Sequence, residues 1–341
     1  MRTFLVRTVL SLPQRWLVSM AGGQPLTIEG RTLDPRLQFL AHQARNGTKL
    51  HELPVTDARA AAADGLSMLD APAMPGIDIK DIEIPAQMAS PALKARIYRP
   101  RLPNRLTPVL VYFHMGGAVI GDLETCHHFC SLLTAEAGCV VVSVDYRLAP
   151  EHKFPAAVED ALSAFRWARE NALGFGGNTA RVAVGGDSAG GMLAAVVAQE
   201  CRKMQERAPV LQLLIYPAVD WTATGGSMEA YANAWPLSAE MMSWFRDHYL
   251  RTPDDAKDLR VSPGLSPDLK GLPPALIYTA GHDPLVDQGR DYAEALKQQN
   301  VPVLYRCFDS LSHGFTAMAG AVPAARTALL DIAADLQRTL G

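Results

Sequence analysis

The run Arg181-Val-Ala-Val-Gly-Gly-Asp-Ser-Ala-Gly-Gly191 constrains this chain more than any other segment. A strand pattern from Val182 to Val184 breaks into Gly186-Asp187-Ser188-Ala189-Gly190, and a helical pattern begins at Met192 and continues to about Arg207. A serine hydroxyl is a poor nucleophile unless it is held exposed beside a base. A sharp strand-to-helix turn holds it so, and Gly186 and Gly190 leave room for the tight backbone. The same turn aims the N–H of Ala189 from the start of a helix, where negative charge is favoured. The competing reading is a glycine-rich turn with a passive serine, and a second signal upstream weighs against it.

Pro108-Val-Leu-Val-Tyr-Phe113 reads as a buried strand followed directly by His114-Met-Gly-Gly-Ala-Val-Ile-Gly-Asp122. Glycine-rich backbone at the carboxyl end of a strand can turn successive N–H groups into one small space. Acyl transfer needs such a space, because its tetrahedral intermediate places a full charge on the former carbonyl oxygen. The expected oxyanion donors are Gly116 and Gly117 from this loop and Ala189 from the elbow.

Where a nucleophile sits on such an elbow, an acid and then a histidine follow along the chain. The nine histidines are His42, His51, His114, His127, His128, His152, His248, His282 and His313. Downstream of Ser188, the apolar strand Pro274 to Ala280 ends in Gly281-His282-Asp283-Pro284. An acid just past a strand end lies where open α/β sheets gather ligands, which points to Asp283. The histidine beyond it is His313, after a strand from Pro302 to Phe308, so His313 is the expected base and Asp283 its orienting acid. Asp287 is the second candidate acid, though the first turn of a helix uses an acid for capping alone. Asp187 and His114 read as structural hydrogen-bonding groups, and His282 as a loop residue. No histidine has a partner at zinc-site spacing except the adjacent pair His127 and His128, so no metal is expected.

From Val109 onward strands and helices alternate: a helix at 127–137, a strand at 140–145, a helix at 156–171, the elbow, and a strand at 211–216. This pattern predicts an α/β fold with a mostly parallel central sheet and helices on both faces. Ile79 to Ile84 alternates with period two, as a half-exposed edge strand does. The alternation stops after Pro217. Residues 218–260, rich in Trp, Met and Tyr, read as an insertion hanging over the elbow, with Tyr231 and Trp235 as candidate pocket lining. Trp244 and Phe245 read as packing residues of a helix from Ala239 to Leu250.

Hydrophobic residues at 48% and charged residues at 20% describe an ordinary globular chain. A net charge of −3 over 341 residues gives no reason to expect nucleic acid or an anionic membrane as partner. The first residues are basic and apolar, but Arg7 interrupts them and Pro13 ends them, so Phe4, Leu5, Thr8, Val9 and Leu12 fit an amphipathic helix better than a signal peptide. The five cysteines form an odd set without a C-x-x-C pair, as expected of a reduced, cytoplasmic protein.

Taken together, the chain resembles the bacterial hormone-sensitive-lipase-like esterases of the α/β-hydrolase superfamily, in the branch marked by Gly-Asp-Ser-Ala-Gly. The likeness rests on the His114 loop with Gly121-Asp122, Val144 to His152, Phe154 to Asp160, the elbow, Asp283 to Asp287, and Ser312 to Phe315. It implies cofactor-free hydrolysis of carboxylic esters with Ser188, Asp283 and His313 as the triad. It also implies a helical cap built from residues 1–75 and 218–260 over a catalytic domain of residues 76–217 and 261–341. Members usually carry a third glycine and an aromatic residue in the oxyanion loop; here those positions are Met115 and Ala118, which are expected to reshape the adjacent pocket. Short- to medium-chain esters and a homodimer through Val303 to Phe308 are further expectations. Amides, lactones and thioesters are rival substrates of the same triad, and a ligand receptor that has lost hydrolysis is the rival from another class.

Overall fold

The computed structural model describes residues 2–87, 89–101 and 105–341. The chain opens with α1 (Arg2–Leu10), α2 (Gln14–Met20), a short ribbon of β1 (Thr27–Ile28) and β2 (Arg31–Thr32), then α3 (Pro35–Ala44) and α4 (Val55–Leu69). Asp34 starts α3 by accepting the Arg36 N–H at 2.8 Å, with Pro35 in the first turn. The amphipathic N-terminal helix forms, but not with the expected face inward. Phe4 and Leu5 are 73% and 56% exposed, while Val6 and Leu10 pack on the core. Arg7 sets this orientation by donating to the carbonyls of Met68 and Asp70 at the end of α4.

The central sheet follows as β3 (Ile77–Ile84), β4 (Leu93–Pro100), β5 (Thr107–Phe113), α5 (His127–Ala137), β6 (Val140–Val144), α6 (Ala156–Asn171), β7 (Gly177–Asp187), α7 (Ala189–Lys203) and β8 (Gln212–Ile215). An insertion carries α8 (Ser227–Ala230) and α9 (Ala239–Tyr249), and the fold closes with β9 (Ala275–His282), α10 (Val286–Gln298), β10 (Val303–Ser312) and α11 (Pro323–Leu340). The strand order is β3-β4-β6-β5-β7-β8-β9-β10, with β4 antiparallel to both neighbours and the pairs from β6 to β10 parallel.

Every residue of β5 is buried, because successive side chains enter different cores. Val109, Val111 and Phe113 belong to the core on the α6 and α7 side, whereas Leu110 and Tyr112 belong to the core on the α5 and α11 side. The alternating helices thus cover both faces, as the sequence pattern predicts. Two boundaries differ from expectation. β7 runs on through Gly185, Gly186 and Asp187, which pair with β5 or β8, and α7 begins at Ala189 rather than Met192. Glycines there mask both elements in a propensity reading, although the backbone pairs normally.

This topology gathers chemistry at one edge. Parallel strands β5, β7, β9 and β10 end on the same side, and their carboxyl ends lead into His114–Gly117, Ser188, Asp283 and His313 respectively. The insertion after β8 comes back over that edge. Ser238 caps α9 by accepting the Met241 N–H at 3.2 Å, and Lys153 holds its far end through the carbonyls of Asp247 and Leu250.

Candidate active site

The elbow stands in a conformation that an ordinary turn does not use: Ser188 has φ +56° and ψ −118°. The strain persists because its surroundings fix it. The Ser188 N–H donates to Ile215 O at 2.9 Å, and its carbonyl accepts from Met192 and Ala218. Gly190 passes so close to β5 that a Cβ would lie 1.9 Å from the Phe113 carbonyl oxygen, so no larger residue fits.

Ser188, His313 and Asp283 form one hydrogen-bonded chain. His313 Nε2 lies 2.9 Å from Ser188 Oγ, and Nδ1 lies 2.7 Å from Asp283 Oδ2. A carboxylate can only accept, so Nδ1 carries the proton and Nε2 is left to accept from the serine hydroxyl. Asp283 is wholly buried, and its other oxygen accepts the Leu285 N–H at 2.9 Å. The tilted ring of Tyr216 packs on the imidazole with centroids 4.6 Å apart.

The other candidates are engaged elsewhere. Asp287 accepts the Ser227 N–H at 2.8 Å and pairs with Arg290, tying α10 to the insertion. His282 faces Arg31 O at 3.1 Å, and burial lowers its pKa. His114 bonds Met115 O within its own loop at 2.7 Å. His127 lies 2.8 Å from the Tyr98 hydroxyl, and His128 contacts Pro72 O. Among the described residues no three His, Cys, Asp or Glu side chains are grouped to hold a metal ion.

Two cavities meet at Ser188. One, of about 500 Å³, is bounded by Met115, Gly116, Gly117, Trp235, Leu237, Met241, Phe245, His313 and the α4 residues Ala62, Gly65, Leu66 and Leu69. The other, of about 360 Å³, is bounded by Gly117, Ala189, Trp221, Met228, Met242, Phe245 and Arg246. The backbone of Gly116, Gly117 and Ala189 therefore borders the space in front of Ser188. The Ala189 N–H, first in α7, has no carbonyl within that helix to bond.

Met115 and Trp235 line the larger cavity, but Tyr231 and Ala118 do not line either one. Tyr231 is 1% exposed; its hydroxyl lies 3.3 Å from Arg31 and its ring packs on His282, so it joins the insertion to the N-terminal ribbon. Ala118 has φ +58° and is wholly buried in the core, its carbonyl accepting the Ala149 N–H. Phe245, expected only to pack, stands between the cavities and against Gly117. A Cβ on Gly117 would lie 2.2 Å from its ring. The α4 wall has as its sequence signal the small-residue run Ala60 to Gly65, legible as a face but not as a face toward the serine.

Comparison with known proteins places the chain in a family. The family model for the alpha/beta hydrolase fold matches residues 110–317. The chain is 44% identical to the carboxylic ester hydrolase LipN of Mycobacterium tuberculosis over 306 residues, covering 87% of this chain and 80% of the relative. It is 35% identical to an ethyl acetate hydrolase of Pseudomonas putida over 294 residues, covering 85% and 92%. The solved esterase of Pyrobaculum calidifontis superimposes with a TM-score of 0.82 at 39% identity, covering 91% of this chain and all of that one (100%). The chain belongs to the α/β-hydrolase fold family, among its hormone-sensitive-lipase-like esterases.

Proposed function

We propose that this protein is a serine carboxylesterase that hydrolyses short- to medium-chain esters through an acyl-enzyme. The observation that carries the reading is the continuous relay Ser188–His313–Asp283 at the foot of an apolar cavity. His313 Nε2 takes the hydroxyl proton as Ser188 Oγ attacks the ester carbonyl, and Asp283 stabilises the imidazolium so formed. The N–H groups of Gly116, Gly117 and Ala189 hold the oxyanion. His313 then gives its proton to the departing alcohol, and water repeats the sequence to release the acid.

The cavities support one pocket for each side of the ester bond, and about 500 Å³ lies within the range of small-molecule sites. The relatives named as ester hydrolases support the bond type. In the same reading, residues 1–75 and 218–260 act as a cap, since α4 and α9 both contribute to the larger cavity. A cytoplasmic location and pairing of two chains along the outer strand β10 belong to the proposal as well. The described residues include no helix long and apolar enough to cross a membrane.

The test is a panel of chromogenic esters from two-carbon to long acyl chains, with an amide, a lactone and a thioester alongside, run on wild type and Ser188→Ala. Activity peaking at short or medium esters and lost in the variant is expected. Full hydrolysis by Ser188→Ala, or none by folded wild type, would overturn the reading.

A further inference from the structure

Asp187, beside the nucleophile, has no part in the relay, yet it is wholly buried among side chains from three different loops. Its Oδ2 accepts from the Thr316 hydroxyl at 2.7 Å and from the Tyr216 hydroxyl at 3.0 Å, and Oδ1 lies 3.5 Å from the Cys126 thiol. Burial first, and the Asp187 charge after it, push Tyr216 and Cys126 well above their ordinary ranges, so both keep their protons and act as donors. A carboxylate without a cationic partner is costly to bury unless its lone pairs are met by donors. Here its partners are the two loops that place the base.

Thr316 follows His313 by three residues, in the short turn Phe315–Ala317. Tyr216 directly follows β8 with φ +35°, a strained value for a non-glycine residue, and its ring is the one packed on the imidazole. The Tyr216 and Thr316 hydroxyls also touch each other, and Met115 Sδ of the oxyanion loop lies 3.9 Å from the Tyr216 oxygen.

We propose that Asp187 is a positioning residue, the common acceptor through which the serine elbow fixes the His313 loop by way of Thr316 and the Tyr216 ring. The serine and its base sit on loops from strands separated by β8 and β9, and their 2.9 Å contact needs a link between those loops. Asp283 orients the imidazole from one side. Asp187 anchors the segment that carries it from the other. The role requires an acceptor at Asp187 and a hydroxyl at residue 316, and it acts on the chemical step rather than on substrate binding.

The inference rests on the ester-hydrolase reading, and the experiment separates the two. Thr316→Val, Thr316→Ser, Asp187→Ala, Asp187→Asn and the double variant Thr316→Val/Asp187→Ala are assayed against wild type on a soluble short-chain ester, with melting curves to confirm folding. Thr316→Val and Asp187→Ala are expected to lower kcat by about 10- to 100-fold, the scale of a slightly misplaced catalytic group, with KM little changed. Thr316→Ser and Asp187→Asn, which keep the hydroxyl and an acceptor oxygen, should recover most of that loss. The double variant should be no slower than Asp187→Ala, because both act through one link. Wild-type kcat in folded Thr316→Val, equal damage in Thr316→Ser, a rise in KM in place of the fall in kcat, or additive losses would overturn the proposal. Should the Asp187 variants fail to fold, the two Thr316 variants decide. Wild type inactive on every ester would instead sink the hydrolase reading.

Discussion

Gly117 and Phe245 should fail together and recover together. A Cβ on Gly117 would lie 2.2 Å from Cγ and 2.3 Å from Cδ1 of the Phe245 ring. Carbon atoms in contact sit about 3.5 Å apart, so in Gly117→Ala the ring or the loop must retreat by about 1.3 Å. If the loop gives way, the Gly117 N–H leaves the oxyanion position, and losing one such donor costs roughly 2.7–4 kcal/mol, or 10²–10³ in kcat. A second cost comes from the backbone, because φ at Gly117 is +62° and alanine in the left-handed region pays roughly 1–2 kcal/mol. Phe245→Ala removes the first cost and leaves the second. The single variant Gly117→Ala is therefore expected to lose about 10²–10³ in kcat, whereas Gly117→Ala/Phe245→Ala should recover the kcat of Phe245→Ala alone, the backbone cost showing as a lower melting temperature. The assay is kcat and KM on a short-chain chromogenic ester for all four proteins, with far-UV dichroism and melting to confirm folding. A folded double variant as slow as Gly117→Ala would refute the clash as cause. Wild-type kcat in Gly117→Ala would refute the retreat of the loop, the Phe245 ring having given way instead.

Two further outcomes follow from the helix α4. Gly65 borders the larger cavity, and an added Cβ there meets nothing within 4 Å. Gly65→Leu should fill that end of the cavity, lowering kcat/KM for the longest accepted esters by about tenfold or more while sparing acetates. An unchanged chain-length profile would show that acyl chains do not enter along α4. Asp70, at the end of the same helix, has its pKa raised to about 7, chiefly by burial. A carboxyl raised on folding favours the folded state fully below its unfolded value, near 3.8, and loses that advantage as pH rises through 7. Asp70→Asn, which keeps an acceptor for the Ala71 N–H, should therefore melt higher than wild type at pH 8 but not at pH 4, by about 1–2 °C for each kcal/mol recovered. Equal melting shifts at both values would count against the linkage.

The parts of the site that the sequence discloses share one property: their positions follow from the backbone. Ser188, Asp283 and His313 each come directly after a parallel strand, and parallel strands end on one edge whatever else the chain does. Alternating elements disclosed the sheet and its two helix layers for the same reason. Tyr231 and Ala118 were misplaced because lining a cavity is a property of side-chain direction, which period and spacing leave open in irregular chain. Tyr231 follows a single helical turn, and the pairing of its hydroxyl with Arg31, 200 residues away, turns it from the serine.

Phe245 and α4 show the same limit from the other side. The face α9 turns toward Ser188 depends on Lys153 holding its end and on Ser238 fixing its start, neither of which is visible as periodicity in residues 239–249. The face α4 presents depends on Arg7, whose guanidinium takes two carbonyls near the end of α4 and thereby seats α1. Family-type motifs outside the relay have a comparable structural task. Asp160 is wholly buried and accepts the Arg147 N–H at 2.8 Å and its guanidinium at 2.7 Å, tying α6 to the loop after β6. Such a buried acid reads in sequence like a candidate for chemistry, and what separates it from Asp283 is the partner it meets. Asp283 meets a histidine that reaches the nucleophile, whereas Asp160 meets an arginine that reaches the Ala89 and Ala156 carbonyls and Glu159. Residue type fixes what a group can do, and the partner that the fold delivers to it decides what it does.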